Sequence, residues 1–363
     1  MKFLGDADFA GKLKIIWETK INHNSQNMLI LCGSVSSWIY ENILKSKDFV
    51  GRVSSEISLN ELSLADTVNF WKKDNSTSSY EILKILSVTG GVPKYLEEID
   101  IRKSADENLA NLCFKSTGFL FNEFEKIFHD VIVKRCDLFK KILTVLSERK
   151  LTPKELASRL KISNNGDFLN QLYILEMSGF IQRDFNYSFE KEHSRITFLR
   201  LKDNYLRFYF KYILPKKNDI LSGQSVFDNL SKLPNWRTII GLQFENLILS
   251  NKHEIFKKLG FTSQEILWAG PYTQRKTLKN KGACQIDLMI VTKLDVIYLC
   301  ELKCVAEITP SICKEMERKL SVINIPKRKS IRTVLIYDGD ISERVYDKIN
   351  AFFDEIIAFE SLL

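Results

Sequence analysis

The chain has no CxxC pair, no grouping of histidines with cysteines, no apolar run long enough to cross a bilayer, no internal repeat and no low-complexity tract. Its 7 cysteines are odd in number and scattered. That excludes a disulfide framework and a zinc finger, and it points to reduced, mostly buried thiols in a cytoplasmic protein. The histidines, His23, His129, His193 and His253, lie far apart and read as solvated or core residues. No signal peptide opens the chain, and no membrane association is expected. Charge of one sign is only mildly in excess, at +8. That permits an anionic partner such as nucleic acid without requiring one. With 363 residues, 45% of them hydrophobic and 27% charged, the chain has the composition of a globular protein of two or three domains.

What is present centres on two apolar runs, Cys284 to Val291 and Val296 to Lys303. They flank Thr292-Lys293-Leu294-Asp295 and read as a β-hairpin. Both runs are apolar on both faces, as in central strands of a covered sheet. Asp287, Glu301 and Lys303 stand in that setting, and buried charge must be paired or metal-bound. Glu301 and Lys303 are two apart and share one face of a strand. A loop with an odd number of residues places Asp287 opposite Glu301. Two carboxylates and an ammonium then converge, a donor set that suits Mg2+ acting on a phosphodiester. An ordinary solvated Glu/Lys face is the competing reading.

An acid at the end of one strand followed by acid-x-Lys on the next resembles the PD-(D/E)xK nuclease superfamily. That resemblance implies Asp287 and Glu301 as metal ligands, Lys303 as a charge stabiliser, and an acid on a preceding helix. Glu245, within Gly241 to Leu249, is in the expected place. Arg275, Lys276, Lys279 and Lys281 form a basic loop just before Asp287, either solvated or guiding nucleic-acid phosphates.

In the first hundred residues, helical spacing covers Asp8 to about Lys20, Met28 to Ser34 reads as a buried strand, and Ser36 to Lys45 as a helix. A further strand over Gly51–Leu59 leads to a helix around Thr67 to Trp71. The words Leu29-Ile30-Leu31-Cys32-Gly33-Ser34, Gly51-Arg52, Leu59-x-Glu61-Leu62-Ser63 and Gly90-Gly91-Val92-Pro93-Lys94-Tyr95-Leu96 resemble the archaeal-type ATPase family, a branch of the P-loop AAA-like ATPases. Read alone, Gly90-Gly91-Val92-Pro93 is a helix-breaking turn. No G-x-x-x-x-G-K-[ST] loop occurs, and no apolar strand ending in paired acids. ATP is the family's cofactor, but the chain alone is expected neither to bind nor to hydrolyse it, as though its gene were truncated.

Asp137 to Arg149, a capped helix from Thr152-Pro153 to Leu160, and Phe168 to Ser178 read as three helices. Strands at Phe180–Arg183 and Ile196–Leu199 complete a winged helix-turn-helix. Its third helix has no lysine or arginine, so a protein-contact role is expected ahead of DNA reading. The wing carries Arg183, Lys191, Arg195 and Arg200. Leu201-x-Asp203-Asn204-Tyr205-Leu206-Arg207-Phe208-Tyr209-Phe210 has aromatic core spacing and resembles the segment opening the nuclease-like domain of these ATPases.

The expected fold is α/β: the latter half of an ATPase core (1–75), a helical lid (76–130), the winged helix-turn-helix (131–202) and a restriction-endonuclease-like domain (203–363). The expected function is Mg2+-dependent cleavage of nucleic acid by the last of these. The alternative is a regulatory protein that binds a protein partner and retains vestigial sites.

Overall fold

The computed structural model describes residues 9–24, 26–32, 47, 49, 51–57, 59–71, 77–131, 136–190, 196–224, 227, 229–276 and 282–363. The described part is a mixed α/β structure, with a helical half followed by a five-stranded mixed sheet.

In the helical half, α1 spans Phe9–Ile16, α2 Ser79–Thr89, α3 Ala105–Cys113 and α4 Phe119–Val131. Three more follow in the expected order: α5 (Cys136–Leu146), α6 (Pro153–Leu160) and α7 (Gly166–Met177). The start of α6 is fixed by a capping box, in which Thr152 and Glu155 satisfy each other's backbone N–H groups. Strands β1 (Ile181–Phe185) and β2 (Thr197–Leu201) then pair antiparallel. Leu151 and Leu199 exchange backbone hydrogen bonds of 3.0 and 2.7 Å, tying the α5–α6 connection to β2.

A short helix, α8 (Asn204–Phe208), leads through an aromatic turn to α9 (Trp236–Ser250). The sheet has the order β3-β4-β5-β6-β7, built from Ile266–Gln274, Cys284–Thr292, Val296–Glu307, Ser330–Asp340 and Glu355–Ala358. Its first two pairings are antiparallel and its last two parallel. The β5–β6 crossover is α10 (Ser311–Val322), whose Ile312 and Met316 recur at helical spacing, and α11 (Glu343–Asn350) connects β6 to β7. Both helices cover one face, packing Met316 and Ile349 with Met289, Val291, Ile297 and Leu299. On the other face, α9 packs Phe244 and Ile248 in one apolar cluster with Leu288, Ile290, Cys300 and Leu302. Coverage of both faces is why β4 and β5 read as unbroken apolar runs.

Two expected strands, Met28 to Ser34 and Gly51–Leu59, do not form over their described residues. Residues 28–32 and 51–57 form no strand, and Met28 (80% exposed) and Ile30 (71% exposed) lie in solvent. An apolar run becomes a strand only where another strand takes up its N–H and C=O groups. Among the described residues none lies beside this one. Gly33 and Ser34, and the helix expected over Ser36 to Lys45, lie outside the described residues. The Gly90-Gly91 pair is a turn in which Gly90, at φ 58°, ends α2. The Gly91 carbonyl accepts from the Leu62 N–H at 2.8 Å, and a Cβ on Gly91 would lie 2.3 Å from the Leu62 oxygen.

The two halves are joined by buried polar contacts. Arg207 donates to Gln243 Oε1 (2.5 Å) and the Leu201 carbonyl (3.0 Å), and Gln243 donates to the Asn204 carbonyl (2.7 Å). Asn246 donates to the Leu201 carbonyl (2.9 Å) and accepts from Arg200 (2.7 Å). These bonds orient α9 and, with it, Glu245. Asn186, just past β1, exchanges two hydrogen bonds with Thr273 of β3 (3.0 and 2.9 Å), seating the small sheet on the edge of the large one.

Candidate metal centre

The β4–β5 hairpin turns through Lys293-Leu294-Asp295, an odd loop, with Asp295 in the left-handed region at φ 59°. The strands pair from Val291↔Ile297 to Leu288↔Cys300. Continuing that register by one step sets Asp287 across from Glu301. The backbone ladder stops there. Instead of meeting a carbonyl, the Leu302 N–H donates to Asp287 Oδ2 at 3.0 Å. On the other side of β4 the register with β3 shifts between Gly270 and Tyr272, so that Asp287 and Leu288 both face Pro271. Proline offers no N–H to a ladder, and a bulge opposite it turns the side chains of the bulged strand. The bulge and the lost ladder open a polar cleft of about 240 Å³, lined by Asp287, Glu301, Lys303 and Glu245 among others. All four residues expected to form the site are thus brought together.

Glu301 is 1% exposed. Its Oε1 pairs with Lys303 Nζ at 2.9 Å, as same-face residues two apart must. Its Oε2 is held by Lys319 of α10. Glu315, one turn earlier on α10, pairs with Lys303 at 3.0 Å. Burial would lower the Lys303 pKa, but Glu301 and Glu315 overcome that and keep the ammonium charged. Burial raises the Glu301 pKa and the charge of Asp287 adds to it, against the pull of Lys319 and Lys303. Asp287 is pushed up to about 6, first by burial and then by Glu245, with Lys319, the Leu302 N–H and Lys303 opposing. Burial likewise raises Glu245, which accepts no hydrogen bond and makes no ion pair among the described residues. Lys150, from the α5–α6 connection, lies within electrostatic reach of Glu245, Asp184 and Asp287, while burial lowers its own pKa.

Three charged lining residues, Lys319, Glu315 and Arg318, and the nearby Lys150 were not assigned a role by sequence reasoning. Lys319 and Glu315 are four apart on a helix, which alone reads as a solvated i,i+4 pair. Arg318 lines the cleft from the same helix, and nothing in sequence connects Lys150 to residues more than ninety positions away. Of the expected basic loop, Arg275 and Lys276 line an adjoining groove, while Lys279 and Lys281 lie outside the described residues. The wing cations are engaged internally: Arg183 donates to Glu176 (3.0 Å), and Arg200 pairs with Asp184 (2.8 Å). Lys191 and Arg195 lie outside the described residues.

The donors fit a hard divalent cation. They are carboxylate oxygens whose burial and mutual repulsion a cation would relieve. Among the described residues no group of three or more His, Cys, Asp or Glu side chains is arranged to hold a metal by itself. An ion here would rest on two carboxylates and take its remaining oxygens from water or substrate, as Mg2+ commonly does.

No family model matches the chain. It is 26% identical over 233 residues to an uncharacterized protein of Methanocaldococcus jannaschii, an alignment covering 62% of this chain and 49% of the relative. The chain therefore spans about half the length of that relative. No helix among the described residues is long and apolar enough to cross a membrane.

Proposed function

We propose that the chain cleaves phosphodiester bonds of nucleic acid, using Mg2+ held by Asp287 and Glu301. The observation that carries this reading is the opening of both carboxylates and Lys303 onto one cleft, at the step where the β4–β5 ladder stops. When bound, the ion would polarise the phosphoryl oxygen and lower the pKa of a coordinated water. Asp287 keeps its geometry through the Leu302 N–H. Lys303, held charged by Glu301 and Glu315, would steady negative charge developing on phosphate. Glu245, raised in pKa and unpaired, would serve as an accessory acid or a water-mediated ligand. Arg275 and Lys276 would form part of a phosphate-guiding rim.

A second reading has one observation in its favour. Both oxygens of Glu301 are already engaged by Lys303 and Lys319. A non-enzymatic interaction protein with a vestigial site would keep such a network as a structural tie. A nuclease assay on the full chain and on Asp287→Ala, across DNA and RNA with Mg2+ or Mn2+, separates the two. Metal-dependent cleavage lost in the variant supports the enzyme, and two equally inert proteins reject it.

A further inference from the structure

The acid cleft does not end at its own wall. A second groove of about 440 Å³ adjoins it, and Arg318 and Gln285 line both. The two have opposite character. Glu245, Asp287, Glu301 and Glu315 line the cleft, whereas the groove has Arg275, Lys276 and Arg318 in its wall and, among the described residues, no carboxylate.

The cations stand on a braced frame. Gln274, 4% exposed, donates to the Gly282 and Val322 carbonyls (both 2.8 Å) and accepts from the Asn324 N–H (2.8 Å). That side chain joins the end of β3, the start of β4 and the end of α10 around the groove. A Cβ on Gly282 would lie 2.8 Å from Val322, so these segments are in close contact. Arg275 is held over the Phe198 ring at 6.0 Å and pairs with Glu155 at 3.3 Å, both from the helical half. Arg318 and Lys276 make no hydrogen bond or ion pair with their side chains among the described residues. A groove lined, among the described residues, by three cations and no carboxylate has the electrostatic character of an anion site, Arg275 being partly offset by Glu155. Its junction with the acid cleft sets the direction in which a polyanion would leave.

We infer that this groove binds the backbone of a nucleic-acid strand next to the reacting phosphodiester. Arg318 takes the phosphate adjacent to the cleft, and Lys276 and Arg275 take those beyond it. The inference rests on the phosphodiesterase reading for its alignment to the acids, but binding itself requires no metal.

The test is fluorescence anisotropy of the full chain with labelled single-stranded DNA and RNA 20-mers in EDTA, repeated over a salt series. Arg318→Ala and Lys276→Ala should each weaken binding by roughly 3- to 10-fold, and each should reduce the slope of log affinity against log salt by roughly 0.7. Arg318→Lys should restore most of the slope. Lys348→Ala, an equal charge change on α11 beside the opposite edge of the sheet, should stay within twofold. Absence of binding, wild-type affinity and slope in the first two variants, or an equal loss in Lys348→Ala would each overturn the groove. Cleavage is read separately with Mg2+. A chain that cleaves while Arg318→Ala binds normally keeps the reaction and rejects the groove. An inert chain that loses affinity in Arg318→Ala keeps the groove and rejects the reaction.

Discussion

The sharpest consequence of the cleft concerns the charge on Asp287. Asp287→Asn removes that charge but retains an oxygen for the Leu302 N–H. The carboxyl is pushed up to about 6 from an ordinary value of 3.8. An acid with a higher pKa folded than unfolded makes no difference well below pH 4, where both states are protonated. Its penalty grows as pH rises through the unfolded pKa and is complete above about pH 6. Roughly two pKa units at about 1.4 kcal/mol each set an upper bound near 3 kcal/mol, and coupling to Glu245 and the lysines reduces what one substitution recovers. The variant should therefore be more stable than the wild type by about 1–3 kcal/mol at pH 7.5 in EDTA, with the gain vanishing near pH 4. Added Mg2+ should reverse the order. At 100-fold excess over its Kd, a ligand of the folded state alone contributes about 2.7 kcal/mol, and the variant should gain far less. Urea unfolding at pH 4, 5, 6 and 7.5, with and without Mg2+, reads both effects. If the variant is the less stable protein at pH 7.5 without metal, Asp287 is held by the lysines as a structural anion. If Mg2+ stabilises both proteins equally, the ion does not bind at this carboxylate.

Other expectations follow from the same geometry. Lys319→Met leaves the 1%-exposed Glu301 with Lys303 alone and should destabilise by about 3–5 kcal/mol in urea unfolding, with the loss largely recovered in the Glu301→Gln/Lys319→Met double variant. Gln243→Leu strips Arg207 of its Gln243 partner and should cost about 2–4 kcal/mol, lowering the thermal midpoint by several degrees. Gly91→Ala places a Cβ 2.3 Å from the Leu62 carbonyl oxygen and should destabilise by at least about 1 kcal/mol, measurable by the same unfolding assay. Purified chain should show no steady ATP turnover in a coupled phosphate-release assay, because no phosphate-cradling loop is encoded.

The hairpin, the shared face of Glu301 and Lys303, and the register of Asp287 were legible in sequence. They follow from a side-chain period of two and an odd turn, both local properties of the chain. The same holds for α6, whose Thr152 cap, Pro153 and Glu155 dictate a helix start within four residues. The apolar run Thr333 to Tyr337 also reads as a buried strand and lies within β6, but β7 was missed, because Glu355–Ala358 spans only four residues. The failure over residues 28–32 and 51–57 has the opposite cause. Apolar content there resembles a buried strand, yet a strand is a relation between segments, and no pairing partner is present among the described residues.

Sequence by itself determined which residues could carry the chemistry: two acids and an amine on neighbouring central strands, with Glu245 on a helix ahead of them. Tertiary structure decided what surrounds them. Crossover helix α10 supplies Lys319 and Glu315 from one side, and the α5–α6 connection brings the charge of Lys150 near Glu245 and Asp287. The bulge opposite Pro271 and the diverted Leu302 N–H open the cleft that these groups share. Strand periodicity is set by adjacent residues along the chain. The field within a cleft is set by whichever charges packing brings near, and no local pattern specifies that.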